Sequence, residues 1–264
     1  PQSTQIVIMA HTHFFKLLIS VLIHLWLCHG TTLAADAKDR LINGETTTIA
    51  RAPFMVQLRF NGRFTCGGTL ISPNHVLTAA HCVKGKARNG FTIHAGVTRL
   101  EQPGIRRTVT AAFIPRAFTT ENKMMDVAVL KLSQPINDPN VRPIGLCNRR
   151  LTPGLPLQVF GWGTTSESSN RSSNVLRRIT VPVIRKMRCS QQYRNIQQLA
   201  RSTFCAGIPG SKDSCSGDSG GPAIHDGRVC GIVSFGFGCG RPNFPGVYTS
   251  VPMVRKFIRQ AMLK

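Results

Sequence analysis

The chain has 264 residues, enough for one large or two ordinary domains with a substantial buried core. Only 17% of them are charged while Gly and Pro number 24 and 16, a balance that suits short strands and turns and argues against long salt-bridged helices. Bases outnumber acids by 33 to 11, and none of the 9 cysteines forms a C-x-x-C pair, so a structural zinc site or redox dithiol gives way to disulfides made in an oxidising compartment.

Residues 1–8 precede the first plausible initiator and carry no role that physical chemistry assigns. Residues 9–34 read as a secretory signal peptide: Met9, then His11, His13 and Lys16, then the apolar run Leu17 to Cys28, then small residues, with cleavage after Ala34. The apolar run is too short to cross a bilayer comfortably, so the product is expected to be secreted and extracellular, with no stable membrane insertion.

Beyond residue 40, short apolar runs broken by turns predict strands at Val56–Phe60, Gly68–Ser72, Phe91–Ala95, Thr108–Ile114, Val127–Leu132, Leu157–Gly161, Val181–Ile184, Val229–Ser234 and Val247–Val251. Many short strands imply an all-β sandwich or barrels. The Pro-, Asn- and Arg-rich stretch from Gln134 to Pro156 reads as the crossing between two strand-rich halves. Thr164 to Asn174 is polar and of low complexity, an expected exposed, mobile surface loop with a glycosylation sequon at Asn170. A helical period appears at about 253–263, where Val254, Phe257, Ile258 and Ala261 share one face.

The stretch KDSCSGDSGGP, Lys212 to Pro222, contains two Asp-Ser pairs. It formally satisfies the G-x-S-x-G turn of α/β-hydrolases, but those enzymes place the acid and then the histidine after the serine, and only His225 and Asp226 follow Ser219. Upstream lie TAAHC (Thr78 to Cys82) and DVAVL (Asp126 to Leu130), giving the order His, Asp, Ser. Each alone has an ordinary explanation, as a core histidine, a strand-capping acid or a turn serine. Together with CGGTLIS (Cys66 to Ser72), FGWG (Phe160 to Gly163) and GVYTSV (Gly246 to Val251), they resemble the signatures of trypsin-like serine proteases of the chymotrypsin family, from Leu41 to the C-terminal helix.

That resemblance implies a serine endopeptidase with two antiparallel β-barrels, the first at about 41–143 and the second at about 144–252, followed by the helix. Ser219 is then the nucleophile, His81 the general base and acid, Asp126 the orienting carboxylate, and the backbone N–H groups of Gly217 and Ser219 the oxyanion hole. Asp213 falls at the floor of the specificity pocket with Ser214 beside it and Gly236 and Gly246 on the walls, which selects Arg or Lys substrates. Ser234, Phe235 and Gly236 resemble the segment that pairs with substrate backbone. Phe235 stands where the family most often has Trp, and Ser216 where trypsins commonly carry Gln.

Residues 35–40 resemble an activation peptide. Cleavage after Arg40 frees an ammonium on Leu41 that is expected to pair with Asp218, so the protein is read as a zymogen needing an activating protease. Leu41 departs from the Ile or Val usual at this position. The resemblance also implies disulfides Cys66–Cys82, Cys189–Cys205 and Cys215–Cys239. Cys28 leaves with the signal peptide, and the remaining Cys147 and Cys230 are expected to pair with each other.

No cofactor or metal is expected: the segment 95–113 offers Glu101 as its one acid, too few oxygen ligands for calcium. Removing Lys16, Lys38 and Arg40 from 33 bases, and Asp36 and Asp39 from 11 acids, leaves 30 against 9 from Leu41 onward, a net charge of +21. Such a surface is expected to attract polyanions such as sulfated glycosaminoglycans, with candidate contacts at Lys84, Lys86, Arg88, Arg99, Arg106, Arg107, Arg149, Arg150, Arg255, Lys256 and Arg259. Expected partners also include protein or peptide substrates and a macromolecular inhibitor. The rival reading is a non-catalytic, polyanion-binding member of the same fold; such relatives usually lose the His or Ser that this chain retains.

Overall fold

Along residues 55–132 the strands bury the face that carries Val56, Leu58, Leu70, Leu77, Ile93 and Leu130, and they close on one another. In the computed structural model, which describes residues 44–169 and 171–264, the short strand β1 (Glu45–Thr46) precedes this barrel. It consists of β2 (Met55–Phe60), β3 (Arg63–Ser72), β4 (His75–Thr78), β5 (Phe91–Ala95), β6 (Ile105–Phe113) and β7 (Ala128–Leu132). The order is β2-β3-β4-β7-β6-β5, with β5 returning to β2 and every pair antiparallel.

A second antiparallel barrel follows β8 (Gly145–Leu146). It comprises β9 (Pro156–Gly161), β10 (Arg177–Ile184), β11 (Thr203–Ala206), β12 (Pro222–His225), β13 (Arg228–Phe235) and β14 (Gly246–Ser250), with helix α1 (Lys186–Tyr193) between β10 and β11. The pairing runs β9-β10-β11-β14-β13-β12 and back to β9. Its core gathers Leu157, Val159, Val181, Phe204, Val233 and Tyr248. The chain ends in helix α2 (Val251–Met262). Two closed six-stranded barrels with a C-terminal helix are the chymotrypsin-like fold that the motifs implied.

The two ends of the described chain strap the barrels together. β1 crosses to pair with β10, Glu45 opposite Arg178. From the other end, α2 buries Val251, Val254, Ile258 and Ala261 in the core cluster that holds the first barrel's side chains. Val251, Val254 and Ile258 each stabilise by about 1.5–3 kcal/mol through burial, and the single methyl of Ala261 by less. Lys131 Nζ on β7 also donates to the carbonyl of Lys264 at 2.8 Å.

The structure departs from the sequence reading in four places. The first is α1, unforeseen because KMRCSQQY buries only Cys189 and Tyr193 and has no side-chain cap. Second, the short strands β1, β4, β8, β11 and β12 span four residues or fewer, below the length at which alternation is legible. Third, α2 begins at Val251, with Pro252 in its first turn, where a missing N–H costs nothing. Fourth, the polar loop is anchored at both ends: Thr164 and Ser173 are buried, Thr164 bridges to Ser172 and Arg99 to Val175. Asn170, Arg40, Leu41 and the segment read as a signal peptide lie outside the described residues. Among the described residues, no helix is long and apolar enough to cross a membrane.

Candidate active site

His81 sits in the short helical turn Ala80–Cys82 just after β4. Asp126 lies just before β7 at the centre of a tight turn, in which Val127 N–H donates to Met125 O at 2.7 Å and Met125 holds the uncommon φ of 54°. The Asp126 carboxylate is fully buried and triply bonded. The backbone N–H of His81 donates to Oδ1 at 2.9 Å, His81 Nδ1 lies 2.7 Å from Oδ2, and Ser234 Oγ donates to Oδ2 at 2.5 Å. Thr249 Oγ1 donates to the Asp126 carbonyl at 2.9 Å.

Burial alone would push the Asp126 carboxyl up, but the His81 hydrogen bond and charge, with Ser234 and the His81 N–H, outweigh it and hold the group below its ordinary range. An ionised Asp126 accepting from Nδ1–H leaves the Nε2 lone pair of a neutral His81 for another proton.

Ser219 occupies the turn ahead of β12, and its carbonyl accepts from Gly67 N–H on β3 at 2.9 Å. The first barrel therefore fixes this turn from the same strand whose Cys66 is bonded to Cys82, next to His81. Gly220 holds φ +77°, and a Cβ there would come 2.2 Å from Thr78 Oγ1, so only glycine lets the turn approach β4. Among the described residues no hydrogen bond joins Ser219 Oγ to His81 Nε2, a contact that commonly tightens only around substrate. Asp218 and Gly220 spend their N–H groups on Cys215 O and Val233 O, whereas those of Gly217 and Ser219 donate to no acceptor among the described residues. Two unengaged donors in the turn that carries Ser219 are of the kind that can stabilise a developing oxyanion.

Asp218 is completely buried, its carboxylate accepting from Gly163 N–H at 2.8 Å and Cys215 N–H at 2.9 Å. Burial raises its pKa to about 7, against the lowering effect of those two bonds. Its expected counter-charge, the Leu41 ammonium, lies outside the described residues.

Asp213 is also buried, bonded by Ser214 N–H at 2.8 Å and Gly240 N–H at 3.0 Å, and burial raises its pKa to about 7. A Cβ on Gly246 would lie 2.6 Å from Asp213 Oδ1, so any other residue there would crowd the carboxylate. Tyr248 OH donates to Ser214 Oγ at 3.3 Å, and the Cys215–Cys239 disulfide joins the segment carrying Asp213 to the one carrying Gly236. Phe235 packs edge-on against Tyr193, ring centroids 6.1 Å apart.

Sequence reasoning missed two contributors. Ser234, expected only along the substrate backbone, gives its hydroxyl to Asp126, and Thr249 braces the same residue from β14. The GVYTSV motif contains Thr249, but the residue's partner is far away in sequence. All four expected disulfides are present, Cys147–Cys230 and Cys189–Cys205 included. Cys66, His81 and Cys82 cluster closely enough to suggest a metal site, yet both sulfurs are committed to a disulfide.

Several of the cations read as polyanion contacts already have protein partners. Lys84 donates to Phe118 O, Lys86 to Cys82 O and Arg107 to Pro135 O, while Arg149 pairs with Asp226 at 3.2 Å.

The chain matches the family model Trypsin over residues 41–258. It is 42% identical over 223 residues to seminase of Drosophila melanogaster, covering 84% of this chain and 81% of the relative. It is 37% identical to the vitellin-degrading protease of Bombyx mori over 83% of this chain and 84% of that protein. Trypsin alpha of Drosophila erecta is 32% identical over 86% of this chain and 89% of its own length. Among solved structures, neuropsin, a serine protease expressed in the limbic system of mouse brain, superposes with a TM-score of 0.76 at 30% identity, covering 83% of this chain and 98% of its own. The chain belongs to the trypsin family of serine proteases.

Proposed function

We propose that the protein is a secreted endopeptidase that cleaves after Arg or Lys and is made as a zymogen. The observation that carries this reading is the His81–Asp126 pair at 2.7 Å, together with the turn that Gly67 ties to the first barrel, in which the N–H groups of Gly217 and Ser219 have no acceptor among the described residues. Ser219 Oγ attacks the scissile carbonyl while His81 Nε2 takes its proton, and the oxygen that gains charge is held by the N–H groups of Gly217 and Ser219. His81 then gives the proton to the leaving amine, and water releases the acyl group by the reverse sequence. Asp126 stays ionised and stabilises the imidazolium.

Asp213 supports the specificity: a buried carboxylate left bare beside an apolar substrate costs more than one paired with a guanidinium or ammonium. Asp218, buried with two N–H donors and a pKa pushed to about 7, is short of a cation. The ammonium freed at Leu41 by an activating protease would supply it, with residues 9–34 and 35–40 as signal and activation segments. Protein substrates and a macromolecular inhibitor are the implied partners. The cations on α2, Arg255, Lys256 and Arg259, support attraction to sulfated glycosaminoglycan. The non-catalytic alternative is disfavoured because the His–Asp geometry is intact.

Cleaving after Arg40 and profiling a peptide library beside a Ser219→Ala control tests the proposal. Hydrolysis after Arg and Lys, absent from the control, is expected; activity in both samples overturns it.

A further inference from the structure

A cavity of about 460 Å³ opens on the second barrel, and none of its lining residues belongs to the site above. Arg150, Arg185, Lys186 and Arg201 stand around it without a single acid. Lys186 is committed: its Nζ donates to the carbonyls of Ala200, Arg201 and Thr203 at 3.1–3.3 Å, bracing the wall. The guanidinium groups of Arg150, Arg185 and Arg201 have no bonding partner among the described residues. Helix α1 also starts here with no acid in its first turn and no side-chain cap, although its dipole favours negative charge at that end.

Between the cations the walls are apolar. Val183 and Phe204 lie inside, and Met187 and Met253 stand at the rim, 65% and 61% exposed. Exposed methionines re-pack around varied apolar groups at little cost. Past Pro252, shared by both, a shallower cavity of about 370 Å³ continues the positive charge with Arg255, Lys256 and Arg259, and Arg255 Nε is buried with no hydrogen-bond partner. A sulfated sugar answers the charge but offers nothing to fill the apolar space, and a small anion leaves most of it empty. An acidic peptide with one large apolar side chain satisfies both.

We propose that this cavity docks an acidic segment of a partner protein, seating a bulky apolar side chain between Met187 and Met253 with flanking carboxylates over Arg150, Arg185 and Arg201. Docking there is separate from peptide-bond hydrolysis, so substrates or inhibitors carrying such a segment are held through a second surface.

The test is fluorescence anisotropy of a labelled peptide of about ten residues, one Phe among Glu and Asp and no Lys or Arg, added to the full chain. Replacing its Phe by Gly is expected to weaken binding about tenfold. Arg150→Glu with Arg201→Glu, both at exposed positions, should weaken it at least as much, and Met253→Asp should abolish the difference between the Phe and Gly peptides. An unchanged rate on a short Arg substrate separates this outcome from any failure of the catalytic reading. Equal binding of the Phe and Gly peptides, no binding at millimolar peptide, or competition by heparin oligosaccharides that ignores Met253→Asp would each overturn the proposal, the last in favour of a polyanion patch.

Discussion

The backbone N–H of Gly67 donates to the carbonyl of Ser219 at 2.9 Å, tying the turn that carries the serine to the opposite barrel. A Cβ on Gly67 would stand 3.1 Å from Gly221 Cα, against backbone that has no side chain to swing away. Gly67→Ala is therefore expected to displace the Ser219 turn by a few tenths of an ångström and lower kcat by on the order of 10², with a small change in KM. Steady-state kinetics on a short Arg substrate checks this; a wild-type kcat would show that the Gly67 contact does not position the serine.

Asp213 gives a pH dependence of binding. With its pKa raised to about 7, the carboxyl is neutral below that pH and, as the floor of the proposed specificity pocket, must lose a proton to pair with a cation. Affinity for a small amidinium ligand is expected to level off above about pH 7 and to fall toward tenfold per pH unit below it, with proton release on binding seen in calorimetry on changing buffer. Affinity that stays flat down to pH 5 contradicts a buried, unpaired carboxyl at the pocket floor.

Asp218 gives a pH dependence of stability. Its folded pKa of about 7 lies above the ordinary 3.8, so between those values the folded chain holds a proton that the unfolded chain has lost. Stability contributed by this group is present below about pH 4 and declines as pH rises to about 7. In the uncleaved protein, melting temperatures should fall across that window, less steeply in Asp218→Asn. On the proposed activation, cleavage at Arg40 supplies an ammonium that offsets the buried charge, and the difference in slope should then disappear. Identical slopes in the parent and variant before cleavage would contradict the assignment.

The Cys147–Cys230 bridge closes 83 residues and links the segment between the barrels to β13. On loop-closure entropy alone it stabilises by roughly 4–5 kcal/mol. The double variant Cys147→Ala/Cys230→Ala should show a denaturation midpoint lower by a corresponding amount. A loss below about 1 kcal/mol would mean that the unfolded chain is already constrained there.

Much of the fold was legible because its signals are local. Phe91–Ala95 alternates cleanly and is a strand over those same residues. The four-residue strands TFCA and PAIH offer too few positions for a period to show, and PAIH opens on proline. Helix α1 escaped notice because KMRCSQQY is mostly polar around its circumference. At the candidate site, motifs pointed to the residues, but no sequence pattern ties Ser234 to Asp126, 108 positions away, or Gly67 to the Ser219 turn. Such bonds depend on how two barrels meet. Of the basic clusters only the charge was legible, since charge density alone does not reveal that Lys84, Lys86 and Arg149 have protein acceptors while, among the described residues, Arg150 and Arg201 have none.

The central claim is that Ser219, activated by His81 and directed by Asp213, performs the chemistry. Its most direct test is mass spectrometry of the protein, cleaved after Arg40, treated with a peptidyl phosphonate ester bearing an Arg-like side chain. A single adduct on the peptide containing Ser219 is expected, formed at least about 10³-fold faster than with a Phe-bearing phosphonate and lost in His81→Ala. Labelling at another residue, or equal rates with the two reagents, would contradict the account.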